Sequence, residues 1–311
     1  MKFLFIGLGS IATKHIIDLE AVAKERQIDC DVTILRRDVK TLPQILSSYR
    51  ITQITELSDF AYDVAFVTNP TNLHYSALEQ LKGKTRFYFI EKPIFEKCDY
   101  DWSGLGINEK NAYVACPMRH TMVYERLKEI AENNRVYSAR LICSSYLPDW
   151  RPNIDYRKNY SAIRSLGGGV SLDLIHELDY MVGLFGFPQT LVNVCGKYSH
   201  LEIDSDDLSA YIAQYKDKVC EVHLDYFGRK YRREAELFTL QGAYVADFKS
   251  EKIETPDGSV IDCQEKGKTD LYKEMEYFLN FVCGKDVKNI NPPEHASEVL
   301  KITLGWKEKN K

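Results

Sequence analysis

The 311-residue chain has no run of about 18 apolar residues, the length a helix needs to cross a membrane. Its eight cysteines, at positions 30, 98, 116, 143, 195, 220, 263 and 283, form no C-x-x-C pair, which argues against a zinc site and a disulfide framework. Reduced, mostly buried thiols in a cytoplasmic protein are expected instead. Neither charge sign dominates. With 41 Lys and Arg against 45 Asp and Glu the net charge is −4, so nucleic acid and anionic membrane are not expected as main partners. Internal repeats and low-complexity segments are absent too.

What is present is ordinary globular composition, 44% hydrophobic and 28% charged, over about two domains' length at roughly 150 residues each. The opening MKFLFIGLGSIA could pass for a signal peptide, but Gly7 and Gly9 interrupt it and TKHIIDLE continues as an amphipathic helix. Apolar runs at 2–7, 31–37, 63–68, 86–91 and 111–116 are continuous rather than alternating. That texture suits parallel strands covered on both faces, hence a doubly wound α/β domain over residues 1–119. Beyond it, longer strand-like segments are joined by short polar turns, with TPDGS at 255–259 a hairpin signal. Helices are expected near 121–133 and 170–186, and the periodicity of PPEHASEVLKITLGWKEK allows a C-terminal helix that packs back on the first domain. Residues 120–311 therefore read as an α+β domain with a large, mostly antiparallel open sheet.

In FIGLGSIATKH, Gly7, Gly9 and Ala12 make G-x-G-x-x-A directly after a strand and at the opening of a helix. Gly7 permits the tight turn, Gly9 lets the backbone approach a pyrophosphate, and Ala12 lets helix pack close to strand. The helix N-terminal amides, from Ser10 and Ile11 onward, would meet the phosphate charge. An acidic residue at the end of the second strand would hold a ribose 2′-hydroxyl, but the chain has Arg36 and Arg37 there, with Asp38 beyond. Two guanidinium groups suit a 2′-phosphate, so NADP is expected ahead of NAD. Around residue 170, GGGVSLDLIHELDYMVGLFG puts Leu174, Leu178, Met181 and Phe185 on one stripe, and Asp173, His176 and Tyr180 on the other side of one helix. The glycines upstream allow close backbone approach to something. A metal at Asp173, His176 and Asp179 is disfavoured, because Asp179 points away from the other two and supporting His or Cys spacing is lacking.

G-L-G-S-I-A, then VTNPTNLH, EKP and GGGVSLDLIHELD, in that order over nearly the whole chain, resemble the Gfo/Idh/MocA oxidoreductases. The resemblance implies a Rossmann domain followed by an α/β domain whose open sheet builds a homodimer or homotetramer. It implies that Lys92, before a frequently cis Pro93, and His176 exchange protons with the substrate oxygen while Asp173 orients or binds substrate. Glu91 would orient its loop, and Thr68, Asn69, Pro70, His74 and Arg119 would lie along the cofactor. Asp173 stands three residues before His176 where the family often has four, which alters the expected geometry. Trp150, Arg151, Tyr156, Arg157 and Tyr160 could stack on a sugar ring and hold an anionic group. Such a loop is similar to that of members acting on surface-polysaccharide or nonulosonic-acid sugars. The resemblance leaves two alternatives to a dehydrogenase: a glycosidase that retains its NAD, and a non-catalytic NADP-binding regulator.

Overall fold

The computed structural model describes residues 1–59 and 61–305; the tail of the expected C-terminal helix, from Trp306 on, lies outside them. The chain forms two compact units, Met1–Pro117 with Lys268–Ser297, and Met118–Gly267 with the segment from Glu298.

The first unit is a six-stranded parallel sheet built from β1 (Lys2–Ile6), β2 (Asp31–Leu35), β3 (Ile51–Ile54), β4 (Tyr62–Val67), β5 (Thr85–Ile90) and β6 (Ala112–Val114). The strand order 3-2-1-4-5-6 makes it doubly wound, as the continuous apolar runs predict. β3, whose short ITQI was not anticipated, forms one edge. Helix α1 (Ser10–Glu25) buries Ala12, Ile16, Leu19, Val22 and Ala23, and α2 (His74–Leu81) follows β4. The core is rich in rings: Phe5 stacks on Phe66 at 4.3 Å between centroids, and Phe66 on Phe89 at 5.1 Å.

The second unit opens with α3 (Met122–Asn133) and β7 (Val136–Tyr146). Two short helices follow, α4 (Val170–Asp173) and α5 (His176–Phe185), then β8 (Thr190–Gly196), β9 (Leu208–Gln214), β10 (Val219–Asp225), β11 (Phe227–Thr239), β12 (Gly242–Asp247), β13 (Lys252–Glu254) and β14 (Val260–Asp262). Its eight strands run in the order 14-13-12-11-7-10-9-8, antiparallel except for the β7–β10 pair. TPDGS is the β13–β14 hairpin turn: Thr255 N–H donates to Ser259 O, and Gly258 takes φ +81°. One face of the sheet buries Ala139, Leu141, Val222 and Leu237. The other leaves Val192 60%, Val194 55% and Ile212 48% exposed, with Arg140 pairing Glu221 and Glu236 beside them.

Two features differ from the sequence reading. The single helix expected over 170–186 is two, because Leu174 (φ −101°, ψ +29°) leaves helical geometry between Asp173 and His176. Tyr180, expected on a polar face, is fully buried against Phe248. The other difference concerns 268–297, placed by sequence in the second domain but belonging to the first unit. There α6 (Asp270–Val282), a helix the reading missed, packs beside α1, ahead of α7 (Pro293–Thr303). Its apolar stripe of Tyr272, Met275, Phe278, Leu279 and Val282 joins the first core, with Phe278 edge-on to Phe89 at 5.0 Å and to Phe66 at 5.7 Å.

Phe278→Ala therefore tests that assignment. Losing a fully buried ring from a shared aromatic cluster should cost about 3–5 kcal/mol, read as a lower urea midpoint. Unfolding of the N-terminal sheet, followed by hydrogen exchange of β1 and β4 amides, should be accelerated alongside. A loss confined to α6 itself would contradict its role in the first core.

Candidate functional site

The carboxyl end of the parallel sheet carries the first group of candidates. Gly7 ends β1 with φ +88°, and a Cβ there would lie 3.3 Å from Asn69 Cα, so the turn and the following loop pack backbone to backbone. Gly9 N-caps α1, and nothing lies within 4 Å of where its Cβ would stand. No side chain caps α1 and its first turn holds no acid, so among the described residues its leading amides lack a side-chain acceptor. Ser10 is exposed and Ile11 partly so, while Ala12 is buried. These features fit a dinucleotide: an open, uncapped N-terminus of a 16-residue helix beside a turn only glycine adopts without strain.

Thr68 holds the next loop down, its hydroxyl donating to Ile6 O at 3.0 Å. Asn69 Nδ2 donates to Leu73 O across Pro70, while its buried Oδ1 has no hydrogen-bond partner among the described residues. His74 is 1% exposed, its Nε2 3.0 Å from Asn69 O and its Nδ1 3.2 Å from Ile94 O. Burial holds its ring below the usual histidine range, so the neutral ring donates to one carbonyl at a time. His74 thus ties the Asn69 loop to the Ile94 loop.

The second of those loops begins with Glu91, Lys92 and Pro93, and the Lys92–Pro93 bond is cis, as the resemblance implied. Glu91 is buried. Its Oε1 accepts from His15 Nε2 at 2.5 Å and its Oε2 from the Lys92 backbone N–H at 3.2 Å. Burial pushes this carboxyl up, but the His15 hydrogen bond and charge, with Lys92 and His74, hold it below its ordinary value. His15 is fully buried on α1, with its ring edge-on to Phe89 at 4.9 Å. Sequence reading passed over it, though Gly7, Ala12 and His15 lie on one stretch. Lys92 itself is partly exposed. At the end of β2, Arg36 is partly buried with Nη1 on Gln53 Oε1 at 3.1 Å, and Arg37 is exposed.

In the second unit, Asp173 is 6% exposed and accepts two phenol hydroxyls, Tyr160 at 2.6 Å on Oδ1 and Tyr226 at 2.5 Å on Oδ2. Burial, then the Asp173 charge, raises both phenols well above their usual pKa, so they stay as donors. Trp150 sits edge-on to Tyr226 at 5.2 Å with its indole N–H on Ser145, and Arg151 lies over Tyr160 at 5.9 Å. Tyr226 was not foreseen, because a tyrosine between two strands carries no local signal. The glycines approach the chain itself: a Cβ at Gly168 would lie 2.0 Å from Tyr160 O, and one at Gly169 2.3 Å from Asp206 Oδ1. They seat the loop that delivers Tyr160 to Asp173. His176 opens α5 and is partly exposed.

Two expected binding arginines are engaged by carboxylates. Arg119 grips Asp179 with Nε on Oδ2 and Nη2 on Oδ1, both at 2.8 Å, and fixes α5. Arg157 is exposed and spans Asp155 at 2.8 Å and Glu202 at 2.9 Å, and the Tyr156 hydroxyl accepts the Glu202 N–H at 3.1 Å. Gly183 leaves room for this packing: a Cβ there would stand 2.5 Å from the Tyr124 hydroxyl and 3.2 Å from Arg119 Nε, so those side-chain ends would have to shift.

Residues 1–100 match the family model described as an oxidoreductase family with an NAD-binding Rossmann fold. No curated protein matches the sequence. Solved structures do. An oxidoreductase from Agrobacterium radiobacter in complex with NAD+, L-tartaric acid and magnesium aligns over 98% of this chain and 94% of its own at 14% identity and TM-score 0.79. UDP-N-acetylglucosamine 3-dehydrogenase from Acidithiobacillus ferrooxidans aligns over 98% and 96% at 17% identity and TM-score 0.75. Levoglucosan dehydrogenase in complex with NADH and L-sorbose aligns over 98% and 95% at 13% identity and TM-score 0.80. At such identities the likeness shows the fold.

One buried acid near this end is shifted in the opposite direction from Glu91. Glu274 on α6 accepts from the Tyr113 hydroxyl at 2.9 Å and from Cys116 N–H at 2.6 Å, and burial first, then the Glu91 charge, pushes its pKa well up. A raised folded-state pKa means that stability is present below the unfolded value of about 4.5 and is lost as pH rises above it. Glu274→Gln keeps both acceptor contacts and removes that loss. Its melting temperature should exceed wild type at pH 8 and converge with it near pH 4; a gap independent of pH would show Glu274 to be ionised in the fold.

Proposed function

From the premise that residues 1–100 are the nucleotide-binding part of a Gfo/Idh/MocA oxidoreductase, we propose that the protein moves a hydride between NADP and a secondary alcohol or ketone of a sugar derivative. The observation that carries this reading is the uncapped α1 N-terminus beside Gly7 and Gly9, on the same parallel sheet as β5, two strands along, which leads into a structured Glu91-Lys92-Pro93 loop. NADP is favoured over NAD by Arg36 and Arg37, cations where a 2′-hydroxyl reader would need a carboxylate.

The nicotinamide supplies the hydride acceptor or donor when bound. The chain's own residues manage the proton. In oxidation, the carbinol C–H bond breaks with its electron pair leaving as hydride, and the hydroxyl proton passes to His176. The ketone remains, and His176 returns the proton to water. Lys92 donates a hydrogen bond to the reacting oxygen, stabilising the charge it gathers. Asp173, with both oxygens on phenols, orients this region and acts as an anchor rather than a base. Trp150, Arg151 and Tyr160 offer ring faces and a cation to a polar, anionic sugar. The sugar ligands and substrates named for levoglucosan dehydrogenase and UDP-N-acetylglucosamine 3-dehydrogenase support that class, and surface-polysaccharide or nonulosonic-acid sugars fit it.

The test is titration with NADPH and NADH followed by a screen of keto-sugars. NADPH should bind more tightly, and Arg36→Ala should remove the difference. On a turned-over substrate, His176→Asn and Lys92→Ala should each lower kcat by about 10²–10⁴-fold, with NADPH affinity of His176→Asn unchanged. Hydride that never reaches added cofactor, with NAD co-purifying, would turn the reading to the glycosidase alternative.

We further propose that the open face of the eight-stranded sheet joins copies of the chain. Val192, Ile212 and Val219 present apolar side chains from three adjacent strands, more than a solvent-facing sheet needs. Ile212→Asp should shift sedimentation to a smaller species while leaving each chain folded by circular dichroism. An unchanged sedimentation coefficient would sink the proposal.

A further inference from the structure

The residues that leave β2, Arg36 to Lys40, have no regular secondary structure, yet one side chain from β3 closes them into an arc. Gln53 Oε1 accepts from Arg36 Nη1 at 3.1 Å and from the Lys40 backbone N–H at 3.4 Å, while Gln53 Nε2 donates to Lys40 O at 2.9 Å. Arg36 N–H donates to Ile54 O at 2.9 Å and fastens the near end. One amide thus grips both backbone edges of Lys40 and aims Arg36. Arg37 and Lys40 are exposed along the arc. The single carboxylate among these five residues, Asp38, has Oδ2 4.0 Å from Lys40 Nζ.

We infer that Gln53 is a specificity-determining positioning residue for a ribose 2′-phosphate site formed by Arg36, Arg37 and Lys40. The inference rests on the NADP reading above and adds the third cation and the clamp. Three cations in five residues stand at the carboxyl end of β2, where a doubly wound sheet receives the adenosine ribose. Long cationic side chains on an unstructured loop lose freedom when they close on an anion. A loop fixed beforehand loses less. Glutamine suits the clamp because its amide is neutral, so it holds a guanidinium without cancelling the charge, and it offers both an acceptor and a donor. Glutamate would oppose the phosphate and lose the donor to Lys40 O. Leucine would lose all three bonds, and since Gln53 is partly exposed on an edge strand, either replacement leaves the core untouched.

The experiment measures binding of 2′,5′-ADP and of 5′-AMP by calorimetry to the full chain, as wild type, Gln53→Leu and Gln53→Glu, with melting temperatures as folding controls. Wild type should prefer 2′,5′-ADP. Gln53→Leu should weaken 2′,5′-ADP by about tenfold with 5′-AMP within about twofold of wild type, and Gln53→Glu should weaken it further. A wild-type preference kept in both variants would overturn the role of Gln53 and leave the NADP reading standing. Equal weakening of both ligands would make Gln53 a general support of the nucleotide end, which also overturns it. No wild-type preference would remove the NADP reading and the inference together.

Discussion

A buried carboxylate held by a buried imidazole organises the carboxyl end of the parallel sheet. Glu91 ends a strand whose last residues have no exposure, and an uncompensated charge there would be costly. His15, one helical turn beyond Ala12 on α1, supplies the donor, and the Lys92 backbone N–H supplies another. Those two bonds answer why a charged residue closes an apolar strand: Glu91 is the joint between the glycine-turn helix and the loop bearing Lys92. Thr68, Asn69 and His74 fasten the intervening loop in the same manner, through carbonyls of β1, α2's approach and the Lys92 loop. Gly7 completes the joint, since any side chain would press on Asn69.

The second unit repeats the device with different chemistry. Asp173 is held by two phenols and Asp179 by a forked guanidinium, so the break at Leu174 and Ile175 is bracketed by two anchored carboxylates. His176 starts its helix between them. A continuous helix would have put Asp173 and His176 on one face, whereas the break lets each be positioned separately.

The two-sheet architecture was legible because hydrophobic period is set by whether a strand is covered on one face or two. Gly7 was legible because its left-handed turn demands glycine, and Gly9 and Ala12 because of their fixed spacing after it. The failures share a physical cause. A helix pattern such as that of α6 tells which face is buried but not which sheet buries it, so DLYKEMEYFLNFV, even once read as a helix, would not have revealed that it returns to the first core. Tyr226 and His15 matter through partners 53 and 76 residues away, and no local rule encodes those pairings. The glycines at 168 and 169 were recognised as sites of close approach, but the partner is the chain's own carbonyls and Asp206.

Saturation of hydrogen-bonding capacity separates ligand-facing groups from supporting ones. Arg119, with Nε and Nη2 on Asp179, would have to surrender charge-assisted bonds in a buried site before it could reach a cofactor phosphate. Arg157 faces a smaller barrier, because its bonds to Asp155 and Glu202 are exposed and screened. A substrate anion could compete there, though against two carboxylates. Gly9 and Ser10 surrender no side-chain cap, since α1's first amides have none, and Arg37 stands in solvent. The residues able to bind at low cost are thus those at the α1 N-terminus and along the arc after β2, which is where a dinucleotide's pyrophosphate and ribose meet a doubly wound sheet. A search for polar residue types cannot make this distinction, because it turns on what each group is already bonded to.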